Sequence, residues 1–417
     1  MNRTPILLSF LLLLLLIEWY AFQAVKVVVK QKSKKVSKVV YYSYWVITAI
    51  AAAMFLYYNF GPQSEMNRIF GTFLRLSLFV NAFAKIIVIL FVFIDDIIRA
   101  VKWLIKKNKA ETTALPIKDG GISRSTFLAK TGLIVAAVPV VSLSWGIVSG
   151  AHDYRVRREK LPIANLPAAF QGLRIAQISD IHAGSFWNKT AVKGGVEMLM
   201  NEKADLVFFT GDLVNRKSNE MNNWGDVFGK IKAPLGVYSV LGNHDYGDYV
   251  EWSSKAAKDK NLLDLYDIER NMGWEALNNE HRIIEIDGQK LGIIGVENWS
   301  ANHRFPKYGN LSKAMENMED TAVNILLSHD PSHWQAEVLT TYPTINLTLS
   351  GHTHGMQFGV EVPGFKWSPA QYLYDEWVGL YKAKEQYLYV NRGFGYIGYP
   401  GRIGILPEIT ILELEKA

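Results

Sequence analysis

Four stretches in the first 150 residues are long and apolar enough to cross a bilayer, and that limits everything else the chain can be. A hydrocarbon core about 30 Å thick needs roughly 20 apolar helical residues. Residues 6–25 meet that length with Glu18 as their sole charge, and residues 41–60 carry no charge and are edged by tyrosines, which suit the half-wet interface. Residues 70–94 hold Arg75 and Lys85, which must snorkel or hide among neighbouring helices. Residues 127–148 include Lys130 near their start and Pro139 inside, where bundled neighbours re-satisfy the backbone groups that proline frees. The spacing predicts a four-helix transmembrane region over 1–150.

Charge distribution gives this region a direction. The whole chain has 45 Lys+Arg against 39 Asp+Glu, a net of +6, but residues 1–160 hold 22 and 8 of these, leaving 23 against 31 for the remainder. The basic excess therefore belongs to membrane-flanking loops, and an acidic second half excludes nucleic acid as a partner. Lysine and arginine resist translocation. Six lysines and no acid in residues 26–38, and seven basic residues against four acids in 95–124, put both loops on the cytoplasmic side. The multi-pass chain then sits in the cell (inner) membrane with residues 151–417 on the periplasmic or extracellular side. Residues 97–107 place Ile98, Val101, Leu104 and Ile105 at helical spacing among basic residues, the pattern of a helix lying along the inner leaflet. The chain has no cysteine, which excludes a disulfide framework and thiolate metal sites.

After a linker at 151–169, residues 170–417 change character. Short buried-type apolar runs at 173–179, 206–210, 237–241, 322–328 and 345–349 alternate with amphipathic stretches, as in an α/β sheet. Each run ends in donor residues: Asp180-Ile181-His182, Gly211-Asp212, Gly242-Asn243-His244-Asp245, His329-Asp330, and Gly351-His352-Thr353-His354-Gly355. Ligands bind outside the carboxyl ends of strands in such sheets, so residues this far apart can meet. Imidazole, carboxylate and amide donors without sulfur suit borderline-hard divalent ions such as Mn, Fe or Zn. If Asp180-x-His182 and His352-x-His354 are extended, alternate positions point each pair to one side. A single ion takes about four protein ligands, and seven candidates stand here beside His244, so two divalent metal ions are implied.

This series, D-x-H, G-D, G-N-H-D, H-D and G-H-T-H in that order, resembles the calcineurin-like metallophosphoesterases over roughly residues 170–415. The tail Tyr389-Val390-Asn391-Arg392-Gly393-Phe394-Gly395, followed by Leu406-Pro407-Glu408-Ile409, is similar to a branch of membrane-anchored bacterial phosphoesterases that includes enzymes cleaving the pyrophosphate of UDP-2,3-diacylglucosamine. Met356 departs from that branch, which often has another glycine after H-T-H-G, and so do four spans in place of one anchor. The resemblance implies an α/β four-layer sandwich, two mixed sheets flanked by helices. It implies Asp180, His182 and His354 on one metal and Asn243, His329 and His352 on the other, with Asp212 bridging. His244 would face the substrate and protonate or stabilise the leaving oxygen, with Asp245 orienting its ring. The implied reaction is hydrolysis of a phosphoester or phosphoanhydride by direct attack of a metal-bound hydroxide, without a covalent enzyme intermediate.

Several residues admit two readings. Arg392, in a glycine-rich loop, either grips a substrate phosphate or braces its turn. Trp299, His303, Arg304 and Phe305 form a substrate lid or a packed surface loop. His152, His281 and His333 lack any supporting pattern and are expected to be structural. Membrane anchorage points to a phosphorylated lipid or other envelope-linked phosphate as substrate. The alternatives are a nucleotide or general phosphodiesterase, and a membrane receptor that binds ligand on this scaffold without turnover.

Overall fold

The computed structural model describes residues 4–61, 68–107 and 123–417, which fall into two units, one up to Ser144 and one from Trp145. Among the described residues the first unit is helical: α1 (Thr4–Val29), α2 (Lys34–Phe60), α3 (Arg68–Lys107) and α4 (Arg124–Val148). All four contain stretches long and apolar enough to span a bilayer. Small residues let these helices approach, with Ala21, Ala24, Ala129 and Ala136 packed against Val88 and Val92. A buried polar cluster ties three of them together. Glu18 on α1 accepts from Lys85 and Asn81 on α3 and, at 2.7 Å, from Thr48 on α2. Near the other end of α3, Asp95 accepts from Ser125 of α4 at 2.6 Å.

One expectation fails here. Residues 97–107 form no separate surface helix; they continue α3 through 40 residues, because nothing between Asp95 and Lys107 breaks a helix. The loop charges at 62–67 and 108–122, which support the proposed orientation, lie outside the described residues.

In the second unit two six-stranded sheets stack face to face. The first has the order β1 (Arg155–Ile163), β14 (Glu408–Lys416), β2 (Arg174–Ile178), β3 (Leu206–Phe209), β4 (Val237–Ser239) and β5 (Glu275–Ala276). The second runs β12 (Gly379–Ala383), β13 (Gln386–Val390), β9 (Leu347–Ser350), β8 (Val323–Leu327), β7 (Gln289–Gly295) and β6 (Glu280–Ile286). A two-stranded ribbon, β10 (Val360–Val362) with β11 (Phe365–Trp367), stands apart from both. Both large sheets are mixed: β2, β3 and β4 pair in parallel while β14 is antiparallel to β2, and β13, β9, β8 and β7 pair in parallel between antiparallel β12 and β6.

Strand alternation assigns the layers. Ile175, Phe208 and Leu412 meet Ile293, Ile325 and Leu347 between the sheets. Their sequence neighbours Ala176, Phe209 and Ile411 face outward under α5 (Lys189–Asn201), α6 (Gly225–Phe228) and α7 (Lys255–Met272). On the second sheet Ile294 and Leu326 likewise face α8 (Leu311–Ala314) and residues 334–338. The result is the four-layer α/β sandwich. Helix ends follow local chemistry: Ser254 caps α7 by accepting from the Ala257 N–H, and Gly273 closes it at φ +79°. Residues 151–169, read as a linker, contain β1, a full nine-residue edge strand paired in parallel with β14.

Candidate metal centre

The carboxyl ends of β2, β3, β8 and β9, with the loop after β4, deliver the donor residues to one place. The connection is not extended there. Asp180, His182, Asp212, His352 and His354 have φ between 49° and 70°, so the chain turns sharply and the alternate-position rationale for the two x-separated pairs does not hold. Left-handed backbone costs a residue about 1–3 kcal/mol and persists where the surroundings over-determine it. Close backbone approach does the determining: a Cβ on Gly242 would sit 2.2 Å from Asp212 Oδ1, and one on Gly351 would sit 1.9 Å from Ser179 Oγ.

Two clusters form. Donor atoms of Asp180, His182 and His354 lie within 4.8 Å of one another, and so do those of Asp212, His329 and His352. Asn243 joins the second, its Oδ1 2.8 Å from His352 Nδ1. Asp212 stands between the clusters, with Oδ2 3.5 Å from His182 Nε2 and 3.2 Å from His329 Nε2. Its other oxygen accepts the His244 N–H at 2.8 Å.

The donor chemistry fits divalent cations. His182 Nε2 and His354 Nε2 face each other at 3.0 Å, and His329 Nε2 faces His352 Nδ1 at 3.3 Å. Such ring nitrogens repel unless a proton or a cation lies between them. Burial opposes charge on both carboxylates, yet His354 holds Asp180 and His329 holds Asp212 below the ordinary range. Burial also opposes charge on His329, but Asp212 keeps its pKa up at about 10, so a proton there takes the place of a cation. His182 and His352 go the other way, lowered by burial, and are neutral as ligands must be. His329 Nδ1 donates to the Thr210 carbonyl at 2.6 Å, so Nε2 is the nitrogen that carries the exchangeable proton toward Asp212 and would offer its lone pair once a cation displaced that proton.

His244 and Asp245 take different positions. His244 lines the cavity and donates Nδ1–H to the Asn215 carbonyl at 2.8 Å, leaving Nε2 for a substrate. The expectation that Asp245 orients this ring is corrected: its carboxylate accepts the backbone N–H groups of Asp212, Leu213, Val214 and Gly242 at 2.8–3.1 Å. Asp245 thus clamps the Asp212 loop onto the Gly242 loop, and Asn215 does the work on the ring. Arg392 is buried with its guanidinium on Glu408 and, at 2.7 Å, on Glu361, so this arrangement braces its loop and leaves no donor set facing the clusters.

Two contributors had no sequence signal. Arg402 is fully buried and reaches His354 Nδ1 at 3.1 Å while donating to the Gly395 carbonyl at 2.6 Å. Tyr374 places its hydroxyl 2.8 Å from His352 Nε2. The histidines outside the motifs lie elsewhere: His281 bonds the Ala314 carbonyl, and His333 is buried against Ser328 and stacked on Trp299 at 4.3 Å. Within the 299–305 stretch, Arg304 and Phe305 line the site, and Trp299 is packed.

The cavity over these groups is about 330 Å³. Its lining mixes polar groups, His182, Asp212, Asn243, His244 and Arg304, with apolar ones, Phe305, Met356, Leu373 and Ile397.

Known proteins agree with this architecture. Residues 2–151 match the family described as "Probable Calcineurin-like phosphoesterase, transmembrane domain", and residues 173–356 match "Calcineurin-like phosphoesterase". The "Transmembrane protein with metallophosphoesterase domain" of Danio rerio is 30% identical over 341 residues, 80% of this chain and 71% of the relative. An uncharacterized metallophosphoesterase of Bacillus subtilis is 31% identical, covering 64% of this chain and 87% of its own. A UDP-2,3-diacylglucosamine pyrophosphatase of Chlamydia muridarum is 26% identical, covering 67% of this chain and 94% of its own. The chain belongs to the calcineurin-like metallophosphoesterases, metal-dependent hydrolases of phosphoester bonds, with a four-helix membrane unit ahead of the catalytic one.

Proposed function

We propose that this membrane protein hydrolyses a phosphoester or phosphoanhydride of a lipid or envelope-linked phosphate on the periplasmic or extracellular side, using two divalent cations, Mn, Fe or Zn, held on either side of Asp212. The observation that carries the dinuclear reading is the Asp212 carboxylate, whose Oδ2 is within 3.5 Å of a histidine from each cluster. Asp180, His182 and His354 would hold one cation, Asn243, His329 and His352 the other. Cations held by these residues would supply an acidified water and would offset charge on a phosphate in an in-line displacement.

The chain's own residues supply the rest. His244, with Nδ1 fixed on Asn215, presents Nε2 to the leaving oxygen and hands it a proton when the ring is charged. Asp245 holds Asp212 and Gly242 in register through its backbone bonds. Arg304, in the cavity wall, adds positive charge for a second phosphate or the anionic portion of a headgroup. The apolar side chains in the cavity lining suit the non-phosphate part of an amphiphile, and the Chlamydia muridarum relative, named for cleaving a diacylated sugar nucleotide, supports that substrate class.

Hydrolysis of a chromogenic phosphodiester by the full chain with added Mn²⁺ tests the reaction. Asp212→Asn should lower the rate by at least about 10²-fold, the scale on which a single electrostatic stabiliser counts. Equal rates would remove Asp212 from the chemistry. Higher efficiency on every water-soluble ester than on any lipid phosphate would remove the lipid.

A further inference from the structure

The ribbon β10–β11 is built with its polarity reversed. Its register pairs Val360 with Trp367 and Val362 with Phe365, which puts these four on one face and Glu361 with Lys366 on the other. The charged face makes the ribbon's polar contacts to the rest of the unit, although Lys366 is itself exposed. Glu361 accepts from Arg157 and from Arg392, both at 2.7 Å, and Lys366 Nζ donates to the Val378 carbonyl at 2.9 Å. The apolar face is open over its tip half, with Val362 52% and Phe365 57% exposed, while Trp367 at its base is half-buried. Between them Pro363 and Gly364, at φ +80°, make a tight tip with no charge on it.

The open face has neighbours of the same kind. The Phe358 ring lies 6.3 Å from the Trp367 ring, and Tyr372 and Leu373 are 72% and 68% exposed. Met356 is exposed as well. Met356 and Leu373 also line the cavity above the metal-ligating residues, so the apolar surface reaches the mouth of the site. A ribbon folded for water turns its apolar side inward. A contiguous exposed apolar patch marks something that covers it.

We infer that this rim dips into the lipid bilayer in which the chain's own helices are anchored. Two observations choose lipid over another occupant. The chain carries four spans, and only residues 149–154, which include the helical turn Gly150–His152, separate the end of α4 at Val148 from the start of β1 at Arg155. A bilayer is therefore an apolar phase that the catalytic unit has within reach throughout its life. The side chains also suit an interface: Phe365 flanks the tip, Trp367, Phe358 and Tyr372 gather at the ribbon's base, and the ribbon's one acid is ion-paired. A rim seated in this way lets an amphiphile keep its tails in the leaflet while its phosphate enters the cavity. The inference rests on the spans and the ribbon; the hydrolytic reading is not required for it.

The natural absence of cysteine makes the test direct. The full chain carrying Val362→Cys, or Phe365→Cys as a second site, is labelled with an environment-sensitive nitrobenzoxadiazole dye and placed in nanodiscs of phosphatidylethanolamine and phosphatidylglycerol, with or without doxyl-labelled phosphatidylcholine. Lys255→Cys, whose side chain is 91% exposed on α7, is the control. The expected result is blue-shifted emission quenched severalfold by doxyl lipid at 362 and 365, with water-like emission at 255. Water-like, unquenched emission at 362 and 365 would overturn the inference. So would a blue shift without doxyl quenching, which would assign the face to another protein chain. Because the readout needs no turnover, a failure to hydrolyse any ester would count against the proposed function alone.

Discussion

That Asp180, His182, Asp212, His352 and His354 gather as candidate metal-binding groups follows from their residue types and strand-end positions, but their backbone conformation does not. Residue type at a strand end says what an atom can bind; it does not say that the chain there turns left-handed, because that depends on close packing against distant segments such as Gly242 and Gly351. The same limit hid Asn215, which acts on His244 through a carbonyl that any residue would have, and Arg402, whose partners are mostly carbonyls. His244→Ala should lower kcat by about 10²–10⁴-fold, as loss of a general acid does, while the bound metal content stays that of wild type. Loss of metal with activity would make His244 a ligand instead. Glu269 on α7 gives a pH test away from the centre. Burial, with Asp245 adding to it, raises its pKa from 4.5 to about 8, and Ser239 is its hydrogen-bond partner at 3.1 Å. An acid raised on folding binds its proton more tightly in the native chain, so its contribution is present below pH 4.5 and is lost as pH rises toward 8. Glu269→Gln should therefore abolish a stability loss on the order of 4 kcal/mol at most between pH 5 and 8, read as a flatter dependence of the unfolding midpoint on pH. Parallel curves for the two proteins would contradict this.

Elements were readable where burial was uniform. β2, β3, β8 and β9 are buried along their length and stand out as short apolar runs. β1 did not, because Arg155-Val156-Arg157-Arg158-Glu159-Lys160 is a largely exposed edge whose pairing with β14 lies more than 250 residues away in sequence. Charges on that edge also discourage pairing with another chain. The ribbon escaped for the opposite reason, its apolar residues facing out. In the membrane unit the apolar runs located all four helices, while the charges inside them did not reveal their partners. Glu18 and Lys85 pair between α1 and α3, and the pair predicts a non-additive result. Lys85→Met alone leaves a buried carboxylate without its cation and should cost about 3–5 kcal/mol, whereas adding Glu18→Gln should restore much of it. The thermal midpoint in detergent reads this, and a double variant worse than the single would contradict the pairing.

At the scale of the whole molecule, the chain divides into a helical membrane unit up to Ser144 and an α/β catalytic unit from Trp145. What neither hydropathy nor charge could supply is the convergence itself: donors at positions 180 to 354 meet because two sheets bring the ends of β2, β3, β8 and β9 to one edge of the sandwich. The central claim is that this convergence holds a pair of cations with Asp212 between them. Metal content per chain, measured by mass spectrometry on full-length protein purified without chelator and re-equilibrated with Mn²⁺, tests it most directly. The account predicts two tightly held ions per chain in the wild type and a clear loss in Asp212→Ala; one ion or none in the wild type, or an unchanged count in the variant, would contradict it.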